Sequence, residues 1–552
     1  MFRARALCLF LIVTLSSCSG ILPNSAVSRH MANRYRGAVN NATPVAAVIH
    51  ERGLHVPDLQ SDMPPLEQLQ AELAMSDVHG SFAGITYDLT RGNSLPRDWI
   101  VQTPNIWGRR ADDLPPSHSD GLVVRIRDLI ASARQRVDIT LLSPPPDGLF
   151  LDGLRAALVT LGNSGRPVMV RIVIGQYPTA EVDTAGFLKS LVAGIEGIPN
   201  SRLTVSVAAM RSCEISDKCD SFSWNHAKVV TVDGAEALVG GHNMWSQDYL
   251  IGDPIHDLSM RLHGPAAASA ARYADRLWNY VCANLDKKAS VSASTFASGT
   301  IAPDSGCPPS PLATPVAQPA AGVPILAVAR MGAGITKDFA NQSELARDLM
   351  LGAAQNDIRI VQQDLGFALG RSDTLFPDST IDRLVDFLFN RTGDIYIVLS
   401  NQGAVGKSGS TYSNDVSLET LAHHVRQEVE RRFERRDPAW RYQIRTGPDP
   451  VNALLCERLH LAPIRFGPDA RWPDGEPFGT HAKFWMVDSR IFYIGSDNMY
   501  PVNLQEFGYI VDDRRAAQEL LDAYWAPLWQ WSSRAAVSGH GVKNCIFREI
   551  IK

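Results

Sequence analysis

Between about residues 117 and 208, apolar positions switch repeatedly between two periods. Stretches 121–135, 151–162 and 183–195 space them three or four apart, the stripe of an amphipathic helix, whereas 137–142, 168–174 and 203–208 are short, apolar and β-branched. Helices alternating with such runs predict an α/β unit with a largely parallel sheet. The order returns in the second half, with helices at 342–355, 380–390 and 417–435 and strands at 358–363, 395–400 and 440–444. A repeated order predicts two homologous lobes, each a mixed, mostly parallel sheet flanked by helices, related by a pseudo-two-fold axis with the active site between them.

Punctuation divides the chain further. Residues 1–18 read as a signal and 19–115 as a leader and packing segment, with little periodicity before residue 60. A short helix is expected after Asp62, where Pro64 and Pro65 precede Leu66-Glu67-Gln68-Leu69. The first lobe is expected at 116–285 and the second at 326–552. Residues 286–325, with seven prolines from Pro303 to Pro324, read as a semi-extended linker.

The first twenty residues carry Arg3 and Arg5, then an apolar run from Leu7 to Leu15, then small residues up to Cys18, which is the layout of an export signal. That run is too short to span a bilayer. Leu15-Ser16-Ser17-Cys18 also resembles a bacterial lipobox, in which the cysteine is lipidated. Ordinary cleavage nearby is the alternative, so the expected location is outside the cytoplasm, secreted or periplasmic or outer-membrane-associated, with an anchor at Cys18 left open.

Composition changes the picture in two ways. With 552 residues, 45% of them hydrophobic and 20% charged, the chain has material for two cores. A net charge of -5 supplies no broad cationic face, so a nucleic-acid partner is not expected. Setting aside Cys8 and Cys18 leaves six cysteines in a chain read as exported, which favours disulfides. Chain order suggests Cys213–Cys219, Cys282–Cys307 and Cys456–Cys545 among fifteen possible pairings. No closely spaced Cys/His cluster supports zinc.

One string of chemistry is written twice. His226-x-Lys228 is followed by Asp233 and Asn243; 255 positions on, His481-x-Lys483 is followed by Asp488 and Asn498 at the same internal offsets. On a strand, residues two apart share a face, so each histidine and lysine point together. Asp233-Gly234 and Asp488-Ser489 fall where the chain reverses, which gives the aspartates a supporting role within the catalytic set. Gly240-Gly241 and Gly495-Ser496 are small enough to let the backbone approach a ligand, and the asparagines after them can donate to an oxyanion. A lysine beside a histidine repels a metal cation but suits phosphate, so no cofactor is expected. Two lysines and two asparagines would hold a phosphodiester while one imidazole attacks phosphorus and the other serves as acid and base. An acid follows each motif, Asp257 and Glu506, suited to orienting an imidazole through its far nitrogen. His242, His256 and His263 have no counterparts in the second copy and read as structural.

The two H-x-K-x4-D motifs resemble the phospholipase D superfamily. Segments such as Phe222 to His226, Gly240-Gly241, Gln362 to Leu365, Gly403 to Gly406 and Leu504 to Ile510 are similar to the secreted actinobacterial type, over about residues 70–550. The resemblance implies that His226 is the nucleophile and His481 the general acid and base. It also implies metal-independent hydrolysis of phosphatidylcholine-like lipids, with head-group exchange. Glu506 stands where that family usually has aspartate, which places the orientation of His481 in question. The expected partner is a phospholipid at a membrane or micelle interface, met by a monomer. Trp245, Tyr412 and Tyr500 are candidates to bind a quaternary ammonium by cation–π attraction. Gly403 to Ser413 is a candidate lid, and Leu149 and Phe150 either meet the lipid or begin a helix. A nuclease of the same superfamily and a non-catalytic lipid-surface protein are the competing readings.

Overall fold

The computed structural model describes residues 42–549 except 116–117, 178–180, 213–222, 288–289, 304–320, 371–372 and 437–448. The signal with Cys18, the cysteines 213, 219 and 307, and the strand expected at 440–444 lie outside the described residues.

Two large sheets form the frame. Ahead of the first lobe come β1 (Tyr87–Asn93) and β2 (Ile100–Thr103). The first lobe supplies β3 (Arg136–Leu142), β4 (Met169–Gly175), β5 (Thr204–Met210), β6 (Lys228–Val232), β7 (Glu236–Gly240), β8 (Asp257–His263), β9 (Val291–Ala297) and β10 (Thr300–Pro303). Its sheet runs β10-β9-β5-β4-β3-β6-β7-β8-β2. The second lobe supplies β11 (Val323–Arg330), β12 (Asp357–Gln362), a separate ribbon of β13 (Phe367–Gly370) with β14 (Asp373–Leu375), β15 (Asp394–Leu399), β16 (Leu459–Pro463), β17 (Phe484–Val487), β18 (Ile491–Gly495) and β19 (Glu506–Asp512). Its sheet runs β1-β11-β19-β18-β17-β12-β15-β16. Strand for strand, β5-β4-β3-β6-β7-β8 repeats as β16-β15-β12-β17-β18-β19, the duplicated unit that the hydrophobic pattern predicts.

The sheets are mixed, but antiparallel pairs outnumber parallel ones, which corrects the mostly parallel expectation. Among the described strands only β3-β4-β5 and β12-β15-β16 are parallel. Those strands are joined by helical crossovers such as Gly148–Asn163 and Asp378–Asn390, whereas the motif strands are joined by tight hairpins that force antiparallel pairing. Three further expectations change. Residues 291–303, read as linker, form the hairpin β9-β10 on the edge of the first sheet. The leader holds a helix, Val45–Arg52, ended by Gly53 in the left-handed region (φ 61°). The packing segment serves both lobes, since β1 joins the second sheet and β2 the first.

The helix Ala266–Ala283 packs against strands of both sheets and buries Tyr273, Leu277 and Trp278 between them. Of the expected disulfides, Cys456 and Cys545 lie at bonding distance with Cα atoms 5.9 Å apart. Cys282 is also disulfide-bonded. Among the described residues no helix is long and apolar enough to cross a membrane.

Candidate active site

Each motif histidine stands just before a short strand. Lys228 opens β6 and pairs in register with Gly240 of β7; Val229 faces Thr140 of β3, so the motif sits at the C-terminal edge of the parallel strands. β17 and β18 repeat this arrangement around Lys483. The hairpin turns carry Asp233 and Gly234 at φ 54° and 62°, and Asp488 and Ser489 both at φ 53°. Asp233 accepts from the amides of Arg134, Gln135 and Arg136, each at 2.8 Å; Asp488 does the same for Gln355, Asn356 and Asp357. Both aspartates therefore staple a turn to the start of the neighbouring strand. Five strand residues at about 3.3 Å each separate that turn from the histidine end, so they do not belong to the set that meets substrate.

The lobes meet through two reciprocal bridges. His226 N donates to Gln505 O (2.9 Å) and Gln505 N to Trp224 O (3.2 Å); His256 N donates to Gly479 O (2.9 Å) and His481 N to His256 O (2.6 Å). Gln505 and His256 each precede an acid, so the bridges carry that acid into the opposite lobe. Glu506 lies on His226, with Nδ1 3.0 and 3.1 Å from its two oxygens, and Asp257 lies on His481, 2.9 Å from Nδ1. This corrects the expectation that Glu506 orients His481. The longer carboxylate serves the first-motif histidine instead.

The two imidazoles face one another with ring centroids 6.0 Å apart and planes at 78°. Nδ1 of His481 also lies 3.0 Å from the carbonyl of Gly241 and 3.1 Å from the Tyr249 hydroxyl. A carbonyl and a carboxylate can only accept, so Nδ1 carries the proton and Nε2 is left for chemistry. The same reasoning applies to His226 against Glu506. Lys228 and Lys483 reach back to the carbonyls of His226 and His481 and are buried. Gly241 is required by close packing: a Cβ there would sit 2.0 Å from Asp257 Oδ1 and 2.8 Å from His481 O. A Cβ at Gly240 or Gly495 would strike neighbouring strands. These small residues admit the other strands and the other lobe, not a ligand as expected.

Burial dominates the electrostatics. It pushes both imidazoles below their ordinary value, helped by Lys228 and Lys483 beside His226 and opposed by Asp257 beside His481. Lys483 falls to about 7 and Lys228 is also lowered, against the pull of Asp257 and Glu506. Burial raises Glu506 to about 7 despite Arg330, Lys228, Ser496 and Lys483. Asp257 is shifted the other way: burial raises it, but His242, His481 and Lys483 outweigh that and hold it below the usual carboxylate range. A phosphodiester entering this site adds negative charge and draws the lysines and His481 back toward their charged forms.

Asn243 and Asn498 are buried, and each leaves Oδ1 without a partner; Asn498 Nδ2 donates to Tyr500 OH at 2.8 Å. Tyr412 stands edge-on to His481 at 5.2 Å and donates to Asp248, while Trp245 is tied to the Pro144 carbonyl. The segment around Gly403 to Ser413 is clasped to the first lobe: Asp248 accepts from Ser408 N, Ser408 Oγ and Tyr412 OH, and Lys407 pairs with Asp253 and Asp474. Phe150 is core and Leu149 is half exposed. His242 and His256 are tied to Thr103, and His263 lies beside Glu236, as structural histidines would be. Sequence reasoning missed Tyr249, Arg330 and the pair Tyr177–Trp224, whose rings are 4.9 Å apart, with Trp224 two residues ahead of His226. Nothing in the local sequence marks Arg330, which reaches the site from the end of β11.

Two repeated lobes that bring paired imidazoles and ammonium groups to one site define a phosphodiesterase. Comparison with known proteins agrees. No protein-family model matches the chain. Over 539 residues it is 32% identical to a phospholipase D of Streptomyces antibioticus, covering 87% of this chain and 90% of that one, so it belongs to the phospholipase D family. Solved structures similar to it include a phosphatidylserine synthase of Haemophilus influenzae Rd KW20 (TM-score 0.46, 13% identity, 81% of this chain and 88% of that one) and a polyphosphate kinase of Porphyromonas gingivalis (TM-score 0.35, 11% identity, 77% and 49%).

Proposed function

We propose that the protein cleaves phosphatidylcholine-like phospholipids to phosphatidic acid and free head group through a phosphohistidine on His226, and exchanges head groups when an alcohol replaces water. The single observation that carries this is the facing pair of imidazoles, each held through Nδ1 by a carboxylate of the opposite lobe. His226 Nε2 attacks phosphorus, and the bond from phosphorus to the head-group oxygen breaks. His481 Nε2 gives that oxygen its proton. The neutral His481 then takes a proton from water or an alcohol, whose oxygen attacks phosphorus and frees His226. Lys228, Lys483, Asn243 and Asn498 neutralise and hold the non-bridging oxygens. Asp233 and Asp488 support the motif strands from their turns.

Trp245, Tyr412 and Tyr500 would offer aromatic faces to a quaternary ammonium, with Tyr500 packed against the cluster that holds Trp224 of the Tyr177–Trp224 pair. Both halves of the site come from one chain, so a monomer suffices. The signal-like start directs the protein outside the cytoplasm, with Cys18 as the anchor if lipidated, which mass spectrometry of the mature N-terminus decides. For the reaction, choline release from phosphatidylcholine micelles is expected with wild type and absent with His226→Ala. Wild type that releases no choline, or cleaves only DNA, overturns the reading.

A further inference from the structure

The two orienting carboxylates have different neighbours at equivalent positions. Arg330 is opposite Glu506 in the β11–β19 register, and Thr103 is opposite Asp257 in β2–β8. Thr103 is neutral and hydrogen-bonds His242. Arg330, buried to 3% exposure, is a permanent cation. Its Nε donates to Leu504 O (3.1 Å), Nη1 to Val502 O (2.8 Å) and Nη2 to Asp497 Oδ1 (2.7 Å), with Glu506 Oε1 3.7 Å from Nη2. One planar fork thus spans the loop from Asn498 to Glu506. Asp497 is held in turn by Ser343 Oγ (2.8 Å) and Arg347 (3.4 Å).

We infer that Arg330 is a positioning residue for the reaction, fixing the 497–506 loop so that Glu506 meets His226 while Asn498 faces the same phosphorus. This rests on the function proposed above. Without the guanidinium the loop would lose three donors, and Glu506 would lose the cation that opposes its protonation. The other groups facing Glu506 are His226, Lys228 and Lys483 from the motifs, Ser496 Oγ (2.6 Å), Tyr273 from the central helix, and Tyr493 and Tyr500. Of these, the two lysines supply the remaining ammonium groups, and burial lowers both. Arg330 is therefore the one neighbour whose charge does not change with pH.

The test compares wild type, Arg330→Lys and Arg330→Gln, with Glu506→Gln to identify the acidic limb of the pH profile. Arg330→Lys is expected to lower kcat by roughly 10-fold and Arg330→Gln by roughly 100-fold, the scale of loss when a reacting group is misplaced by about 1 Å. KM should stay within about twofold. Removing the cation makes Glu506 protonate at higher pH, so the acidic limb of kcat should move upward in Arg330→Gln, by less in Arg330→Lys, whose shorter side chain keeps a charge but stands farther from Glu506, and vanish in Glu506→Gln. The hydrogen-bonded Nδ1 proton of His226, a downfield proton resonance absent from His226→Asn, should titrate with the same upward displacement, and this readout needs no turnover. A merely structural Arg330 would reduce the folded fraction and leave the limb and the resonance in place. That result in Arg330→Gln overturns the inference, and should Arg330→Gln fail to fold, so does an Arg330→Lys variant with wild-type kcat per folded molecule and an unmoved resonance, whereas inactive wild type with a displaced resonance in the variants overturns only the proposed function.

Discussion

The loop after Asn243 and the loop after Asn498 do the same task by different means. Fourteen positions separate Asn243 from Asp257, and eight separate Asn498 from Glu506, yet each acid opens the strand that continues its sheet. The longer loop folds a helical turn, Ser246–Tyr249, and spends Asp248 on Ser408 and Tyr412 of the other lobe. The shorter one is pinned within its own half by Arg330. Duplication preserved the position of the carboxylate relative to the imidazole while leaving its support free to diverge. The first half is fastened to the opposite lobe and the second from behind, by a cation of its own sheet.

The sharpest way to break this comparison is to remove each imidazole. His226→Ala should lose at least about 10⁴-fold in kcat on every phosphodiester. His481→Ala should lose as much on phospholipid but less on a p-nitrophenyl ester, whose leaving group needs no proton, and should accumulate phosphohistidine under rapid quench. Equal losses on both esters would cancel the division of labour. Next come the carboxylates. Glu506→Gln and Asp257→Asn should each cost about 10²–10⁴-fold. Only Asp257→Asn should weigh more heavily on poor leaving groups, because Asp257 holds the proton donor. With Glu506 titrating at about 7, activity that needs its carboxylate should fall as pH drops through 7, and Glu506→Gln should flatten that limb.

Smaller effects concern stability. The Cys456–Cys545 bridge closes a separation of 89 residues in the second lobe; its double alanine variant should lose about 2–4 kcal/mol in denaturant unfolding, with turnover per folded molecule kept. Asp233→Asn and Asp488→Asn mark where the lobes are alike, and each should lose about 1–3 kcal/mol with kcat unchanged. A kcat loss in either would return these aspartates to the reacting set.

The frame was legible because its signals are local. Helices at 120–131, 148–163 and 342–353 fall within a few residues of the hydrophobic stripes that predict them. The motif residues were legible because they repeat. What escaped depends on pairing across the chain: the bridges Asn225–Gln505 and His256–Thr480 join residues more than two hundred positions apart, so offset alone suggested the wrong histidine for Glu506. The 291–303 hairpin escaped because serine, alanine and threonine at a sheet edge read like a solvated linker.

Because each half lends its acid to the other's imidazole, a severed lobe would carry a histidine with no carboxylate to choose its tautomer. Two fragments mixed after separate folding should stay silent until they dock. Proteolysis between the halves would thus leave pieces with little residual power to cut a phosphodiester.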